Sequence, residues 1–346
     1  MHYFAYTTYM ATIKEISENL GLSQATVSRA LRKDKTLSIS RETKTRIFAE
    51  AQKLGYTQKS RKEYNKKPKK NLLVLHKQQT FRNQIDSSYY FSVRSGVEEY
   101  CESHSITCEF ATIETALDTS LDYDGVIVIG NYEQELFEKI FKKFGTLPLV
   151  SVGQLTYHPE KVIHITYSNY DTVNMALNYL LENGHTKIGY FGIRETYGIP
   201  SSNSRKEIFR QILSGRGYFR PEWVCESEHG KSRVDEGYKM MKNWIAQKIP
   251  LPTAVFCAND PVALGVMKAA YEEGLEIPRD LSVISHDGSY PAKYTVPPLT
   301  TIDVHPFDLG YEAVEAMNQL FTKSKVLAKK IVFYPELRIR GSVKAL

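Results

Sequence analysis

Beyond residue 70 the chain alternates short, continuous apolar runs with stretches of helical periodicity, and few folds accept that rhythm. The runs at 72–75, 106–111, 126–129 and 149–152 are too short for buried helices and read as buried strands. Between them, 91–102 and 133–144 space their apolar residues as a helix does. A second series follows, with strands at 188–191, 254–257 and 282–285 and helices at 171–182, 205–213, 234–246 and 261–273. Such alternation means parallel sheets covered by helices, and there is enough of it for two sheets. Ligands of open α/β sheets sit at the strand carboxyl ends, so two facing lobes would enclose one in a cleft. No glycine-rich phosphate loop follows any of these strands, which argues against a nucleotide site.

The N-terminal stretch from Thr12 to Arg32 has a different texture. Thr12 and Glu15 form a capping box, and Ile13, Ile16 and Leu20 make one apolar stripe, so a helix starts at Ile13. Gly21 can take the positive φ that ends it, and Ser23 is placed to cap a second helix through Leu31. That is helix-turn-helix spacing. Val27 and Leu31 face inward on the second helix, leaving Gln24, Ala25, Thr26, Ser28 and Arg29 outside. Arg can be bidentate to guanine and Gln to adenine, an Ala methyl can touch a thymine methyl, and hydroxyls such as those of Thr12 and Ser23 can hold phosphates. A third helix is expected from Arg41 to about Leu54, with Ile47, Ala51 and Leu54 closing a miniature core. The alternative is that a small helix pair is polar outside simply because surfaces are polar.

Charge separates the two readings. Residues 1–70 carry 16 Lys and Arg against 6 Asp and Glu, whereas the rest of the chain carries a slight acidic excess. A surplus packed into one terminal segment is the footprint of a polyanion binder. The four cysteines are scattered, without metal-ligand or disulfide-framework spacing, and no metal or cofactor is expected. No apolar run approaches a membrane span and residues 1–9 lack the pattern of a signal peptide, so a cytoplasmic protein is expected, with Met10 as a candidate start.

Several motifs together carry a family resemblance. Ala11-Thr12-Ile13-Lys14-Glu15-Ile16, Gly21-Leu22-Ser23, Thr26-Val27-Ser28-Arg29-Ala30-Leu31, Thr43-Lys44 with Arg46-Ile47, and Leu54-Gly55-Tyr56 resemble the head of the LacI/GalR family of bacterial transcription regulators. Ala258-Asn259-Asp260 before Ala263-Leu264-Gly265, Asp280-Leu281-Ser282-Val283-Ile284-Ser285, Pro297-Pro298-Leu299-Thr300-Thr301-Ile302 and Arg338-Ile339-Arg340-Gly341-Ser342 resemble its effector domain. The fold implied is a small all-α helix-turn-helix head joined by a hinge to a two-lobed α/β periplasmic-binding-protein-like domain, with parallel sheets and helices on both faces. Residues 10–66 would be the DNA-binding domain with its hinge. Residues 67–346 would form the effector and dimerisation domain, with one lobe of about 71–167 and 303–334 and a second of about 168–302 and 335–346.

The resemblance also implies a homodimer that binds double-stranded operator DNA and a small sugar effector. Arg205, Asn259 and Asp287 would be the polar contacts to the sugar, whose hydroxyls donate and accept at once. Each has a structural use too: Asp287 could turn the chain, Asn259 could cap a helix, and Arg205 could bridge the lobes. The sequence departs from the family in places. Arg61-Lys62-Glu63-Tyr64 replaces the hinge pattern Ala-Arg-x-Leu, so Tyr64 would have to act as the minor-groove wedge. Gly153 stands where lactose-type members carry a sugar-binding Asp, Gly288 replaces a second acid, and Ser232 falls where a stacking Trp is expected. Tyr89, Tyr90, Phe91, His286 and His305 are candidates to compensate. The likeness is greatest to the branch holding galactose-operon regulators and the evolved-β-galactosidase repressor, making galactose or a β-galactoside the expected inducer. The other expectations are a corepressor-dependent regulator sensing a purine or phosphosugar, and a transporter's sugar receptor, which should carry a signal peptide and no basic head. No nucleophile with its base and no metal cluster can be assembled for an enzyme.

Overall fold

The computed structural model describes residues 12–31, 34, 37, 39–54, 70–77, 85–118, 122–154, 157–194, 204–227, 233–322 and 327–346. Met10, Tyr64, most of the basic linker and Ser232 lie outside the described residues. The chain divides into two compact units, Met1–Lys67 and Pro68–Leu346.

In the first unit α1 (Ile13–Leu20), α2 (Gln24–Leu31) and α3 (Arg41–Lys53) surround a core of Ile16, Val27, Ala30, Leu31, Ile47 and Ala51. Both halves of the Thr12/Glu15 capping box are made, at 2.8 and 3.3 Å. Gly21 then ends α1 in the left-handed region at φ 65°, its N–H reaching Glu18 and Ser17 carbonyls.

The second unit opens with β1 (Lys70–His76), α4 (Ser88–His104), β2 (Ile106–Thr112), α5 (Ile113–Asp118), β3 (Gly125–Ile129), α6 (Gln134–Phe144), β4 (Leu149–Val152) and β5 (Ile163–Tyr167). It continues through α7 (Asn169–Glu182), β6 (Ile188–Ile193), α8 (Arg205–Gly215), β7 (Val224–Ser227), α9 (Arg233–Ala246), β8 (Ala254–Cys257), α10 (Asp260–Glu272), β9 (Ser282–Asp287) and β10 (Thr300–Asp303). It closes with α11 (Pro306–Thr322), β11 (Lys330–Phe333) and β12 (Glu336–Arg338). One sheet has the order β11-β5-β4-β3-β1-β2 and is parallel throughout; the other runs β12-β10-β9-β8-β6-β7, with β12 antiparallel at its edge. The two sheets share one winding order, so each has a switch point beside its first strand.

The strands alternate their buried side chains between two helical layers. Leu72 and Val74 pack under α4 and α11, while Leu73 and Leu75 pack under α5 and α6. All four are fully buried, and each contributes about 1.5–3 kcal/mol of apolar burial. In the second sheet α9 and α10 cover one face, and α7 and α8 the other. Every strand expected from apolar runs is present. The alternation missed β5, β7, β10, β11, β12 and the helices α5 and α11. In β5 the reason is visible: His164 and Thr166 interrupt the apolar pattern yet are buried, because His164 bonds Ser151 Oγ at 2.6 Å and the Tyr157 carbonyl at 2.9 Å. Among the described residues, no helix is long and apolar enough to cross a membrane.

Candidate DNA-binding and ligand-binding sites

In the first unit the residues that could read DNA follow from how α2 is anchored. Ser23 caps it, accepting from the Thr26 N–H at 3.1 Å, and Val27, Ala30 and Leu31 turn into the core. That leaves Gln24, Ala25 and Arg29 exposed on the other side, with Thr26 and Ser28 half-buried between them. The Thr12 and Ser23 hydroxyls are both engaged as acceptors in caps, and Ser23 Oγ also lies 2.8 Å from Thr26 Oγ1. Arg29 is not idle: its Nε donates to Asp34 Oδ2 at 2.8 Å. Asp34 carried no signal in the sequence, since an acid in a basic loop reads as solvated surface.

In the second unit a cleft of about 90 Å³ opens between the two sheets, room for about six to nine waters at 10–15 Å³ each. Its lining comes from strand carboxyl ends. Asp86, Tyr89 and Tyr90 follow β1, Gly130 and Asn131 follow β3, Gly153 and Gln154 follow β4, and Tyr167 ends β5. From the other sheet come Arg205 after β6, Arg233 after β7, Asn259 after β8 and Asp287 at the end of β9. Arg205, Asn259 and Asp287 are therefore brought together on one wall, and Tyr89 and Tyr90 face them from the other sheet.

Arg205 Nη1 lies 3.2 Å from His286 Nδ1, which is 3.0 Å from Asp287 Oδ1. One ring nitrogen cannot both accept from Arg205 and donate to Asp287, so the position of the imidazole proton decides which neighbour Nδ1 holds. Asp287 has a backbone φ of 128°, a rare value for a residue with a Cβ, and the surrounding packing must hold it there. Asn259 does what its structural use required: Oδ1 accepts from the Val262 N–H at 2.9 Å and caps α10. It lines the cleft as well. Behind this wall Asp260 is fully buried, with Ser285, Thr301 and the Ser289 N–H donating to it. Burial, with Asp287 adding to it, pushes its carboxyl up to about 7. Burial likewise raises the Tyr89 phenol well above its usual range, with Tyr167, Tyr90 and Asp287 adding to it, so it enters the cleft as a neutral hydroxyl.

The structure explains one departure from the family. A Cβ at Gly153 would lie 2.6 Å from the Gly130 carbonyl oxygen and 2.9 Å from Asn131 Oδ1. The space an acidic side chain would need is taken by the Asn131 carboxamide, whose oxygen accepts from the Gln154 N–H at 2.7 Å. His286 is fully buried behind the wall rather than on it, and Phe91 and His305 do not line the cleft. Sequence reasoning missed Asp86, Asn131, Gln154, Tyr167 and Arg233. Asn131 and Gln154 could have been found, because each lies two residues beyond a strand that the apolar runs already defined.

Two cleft atoms stand out. Asp86 Oδ2, an acceptor, and Gln154 Nε2, a donor, are buried with no hydrogen-bond partner among the described residues. Leaving such a group unpaired costs about 1–3 kcal/mol, so each is open to a hydrogen bond from a molecule in the cleft. A donor and an acceptor together with three tyrosines suit a compact polyhydroxyl molecule with apolar C–H faces.

A helix-turn-helix unit joined to a two-lobed α/β unit with a polar cleft defines a DNA-binding regulator that carries its own small-molecule receptor. Residues 12–59 match the lacI family of bacterial regulatory proteins, and residues 177–343 match the periplasmic binding protein-like domain. The chain belongs to the LacI family of DNA-binding transcriptional regulators. It is 29% identical to the transcriptional regulator GalR of Streptococcus thermophilus over 341 residues, covering 97% of this chain and 100% of the relative. It is also 29% identical to the repressor PurR of Haemophilus influenzae, over 97% of this chain and 100% of that one. The regulator GanR of Bacillus subtilis is 28% identical, over 96% and 100%. In fold it is similar to the regulator CelR in complex with cellobiose, with a TM-score of 0.67, 19% identity and coverage of 96% and 99%. The lac repressor dimer bound to operator and an anti-inducer gives 0.67 as well, at 20% identity over 97% and 100%.

Proposed function

We propose that this protein is a cytoplasmic, homodimeric repressor of a sugar-utilisation operon, without enzymatic activity, released from its operator when galactose or a β-galactoside fills the cleft. Residues 10–66 would carry the head and hinge and 67–346 the receptor, with lobes at about 71–167 with 303–334 and 168–302 with 335–346. Gln24, Ala25, Thr26, Ser28 and Arg29 would meet base edges in the major groove, Thr12 and Ser23 would hold phosphates, and Tyr64 would act at the hinge. Arg205, Asn259 and Asp287 would orient the sugar, with Tyr89 and Tyr90 stacking on its C–H faces.

The observation that carries this reading is the cleft: two guanidinium groups, carboxylates, carboxamides and three tyrosines around about 90 Å³, at the carboxyl ends of both sheets. GalR and GanR among the relatives, and the cellobiose bound to CelR, support a sugar. A purine corepressor is the second reading, supported by the equal identity to PurR. Gel shift on the DNA upstream of the gene, combined with thermal-shift screening of sugars and purines, separates the two. A galactoside that raises the melting temperature and weakens DNA binding supports the first. A purine that raises both establishes the second, and equal affinity for promoter and random duplexes at physiological salt rejects both.

A further inference from the structure

Asp86 belongs to the segment between β1 and α4, on the side of the first sheet, yet its carboxylate bonds the second. Its Oδ1 accepts from the backbone N–H groups of Arg233 at 2.9 Å and Val234 at 3.1 Å, the first two residues of α9. Arg233 Nη1 returns a bond to the Asp86 carbonyl at 3.2 Å. The first N–H groups of a helix have no partner within it, and a carboxylate there also meets the positive end of the helix dipole. Here the cap is supplied from across the cleft. The other oxygen, Oδ2, is buried without a partner among the described residues, in a residue only 8% exposed that lines the cavity.

We propose that Asp86 is a latch between the lobes that the bound effector strengthens: Oδ1 caps α9 across the closed cleft, and Oδ2 takes its missing hydrogen bond from a hydroxyl of the effector. One carboxylate then reads the ligand and the lobe arrangement together. A ligand can shift a conformational equilibrium only through contacts that differ between the two states. Oδ2 provides such a contact, because in the closed cleft a ligand hydroxyl replaces an unpaired atom, whereas in an open cleft it would merely replace water. Gln154 Nε2, the orphan donor in the same cavity, gives the ligand an acceptor's role nearby. The proposal rests on the sugar reading only for what fills the cleft; the latch itself rests on the three bonds across it.

The test is hydrogen–deuterium exchange at the Arg233 and Val234 amides in the full-length protein, combined with calorimetric titration of methyl β-galactoside. Asp86→Ala should speed exchange at those two amides without ligand, and should weaken sugar binding about ten- to a hundredfold, the scale of a lost bond to a charged group. Asp86→Asn keeps one acceptor oxygen for α9 but replaces the other. It should preserve most of the protection at the two amides while still losing affinity. Unchanged exchange in Asp86→Ala, at a melting temperature within a few degrees of wild type, overturns the latch. Unchanged affinity for the galactoside in both variants overturns the ligand contact. Failure of wild-type protein to bind methyl β-galactoside counts against the sugar reading instead, and the exchange comparison without ligand still decides the latch.

Discussion

At the scale of the residue, Arg29 and Asp260 have consequences that can be measured directly. Arg29→Ala should cost about 1–3 kcal/mol of binding at one operator base pair and relax the preference there, as expected for a lost bidentate contact to guanine. The same change removes the ion pair to Asp34, whose partners are 46% and 29% exposed, so fold stability should move by only about 0–1 kcal/mol. A selection experiment on randomised operators checks it, and an unaltered sequence preference would remove Arg29 from direct readout. Asp260 governs a pH dependence. Its carboxyl stands at about 7 in the fold and near 4 in an unfolded chain, so the folded form holds a proton that the unfolded form releases. The stability this contributes is complete below about pH 4 and is lost as pH rises through about 7. Urea midpoints of wild type should therefore fall more between pH 4.5 and 8 than those of Asp260→Asn, which has no such proton to lose. Parallel curves for the two proteins would show that Asp260 does not titrate in this window.

At the scale of the element, the two covering helices of the first sheet depend on contact between backbones. A Cβ on Gly310 of α11 would lie 1.9 Å from the Val93 carbonyl oxygen, and one on Gly96 of α4 would lie 1.9 Å from that of Phe307. The helices cross at the one place where neither carries a side chain, and Gly237 with Gly265 does the same for α9 and α10. Gly310→Ala should cost about 1–3 kcal/mol or more, since rigid backbone has to shift. Gly215→Ala, at the end of α8 with nothing within 4 Å, is the control and should be neutral or stabilising by a few tenths to about 1 kcal/mol. Thermal melts of the pair check this; equal effects would mean the crossing is not tightly packed. Element boundaries were legible wherever a local device set them. The capping box of α1, the Ser23 cap of α2 and the apolar runs of β1, β3, β4, β8 and β9 all act within a few residues. Elements that owe their burial to distant partners were not legible. Thr300 and Thr301 in β10 are fully buried because Ser342 and Asp260 satisfy them, and nothing near them in the chain announces it.

For the whole molecule, charge and coupling make the predictions. The basic excess of residues 1–70 means that operator affinity should fall about 10³- to 10⁵-fold between 50 and 200 mM salt if roughly six to ten phosphates are neutralised. A filter-binding series in KCl measures the slope, and a flat response would exclude phosphate contacts as the source of affinity. If the effector releases DNA, linkage requires that operator DNA weaken effector binding by the same factor. Titrating the effector with and without operator tests that equality, and unequal factors would exclude a simple two-state coupling.

The sequence alone determined the class of each unit, because helix caps, apolar periodicity and a charge surplus act over short distances along a chain. It also brought Arg205, Asn259 and Asp287 into consideration, through motifs that resemble the family's effector domain. Only the tertiary structure decided the composition of the cleft. Asp86 and Arg233 are 147 positions apart, and the bond between them exists because two separately wound sheets face one another. Likewise, whether a side chain fits at residue 153 depends on the Gly130 carbonyl and on Asn131, neighbours in space from a different strand end. Contacts of that kind leave no periodic trace in the residues on either side of them.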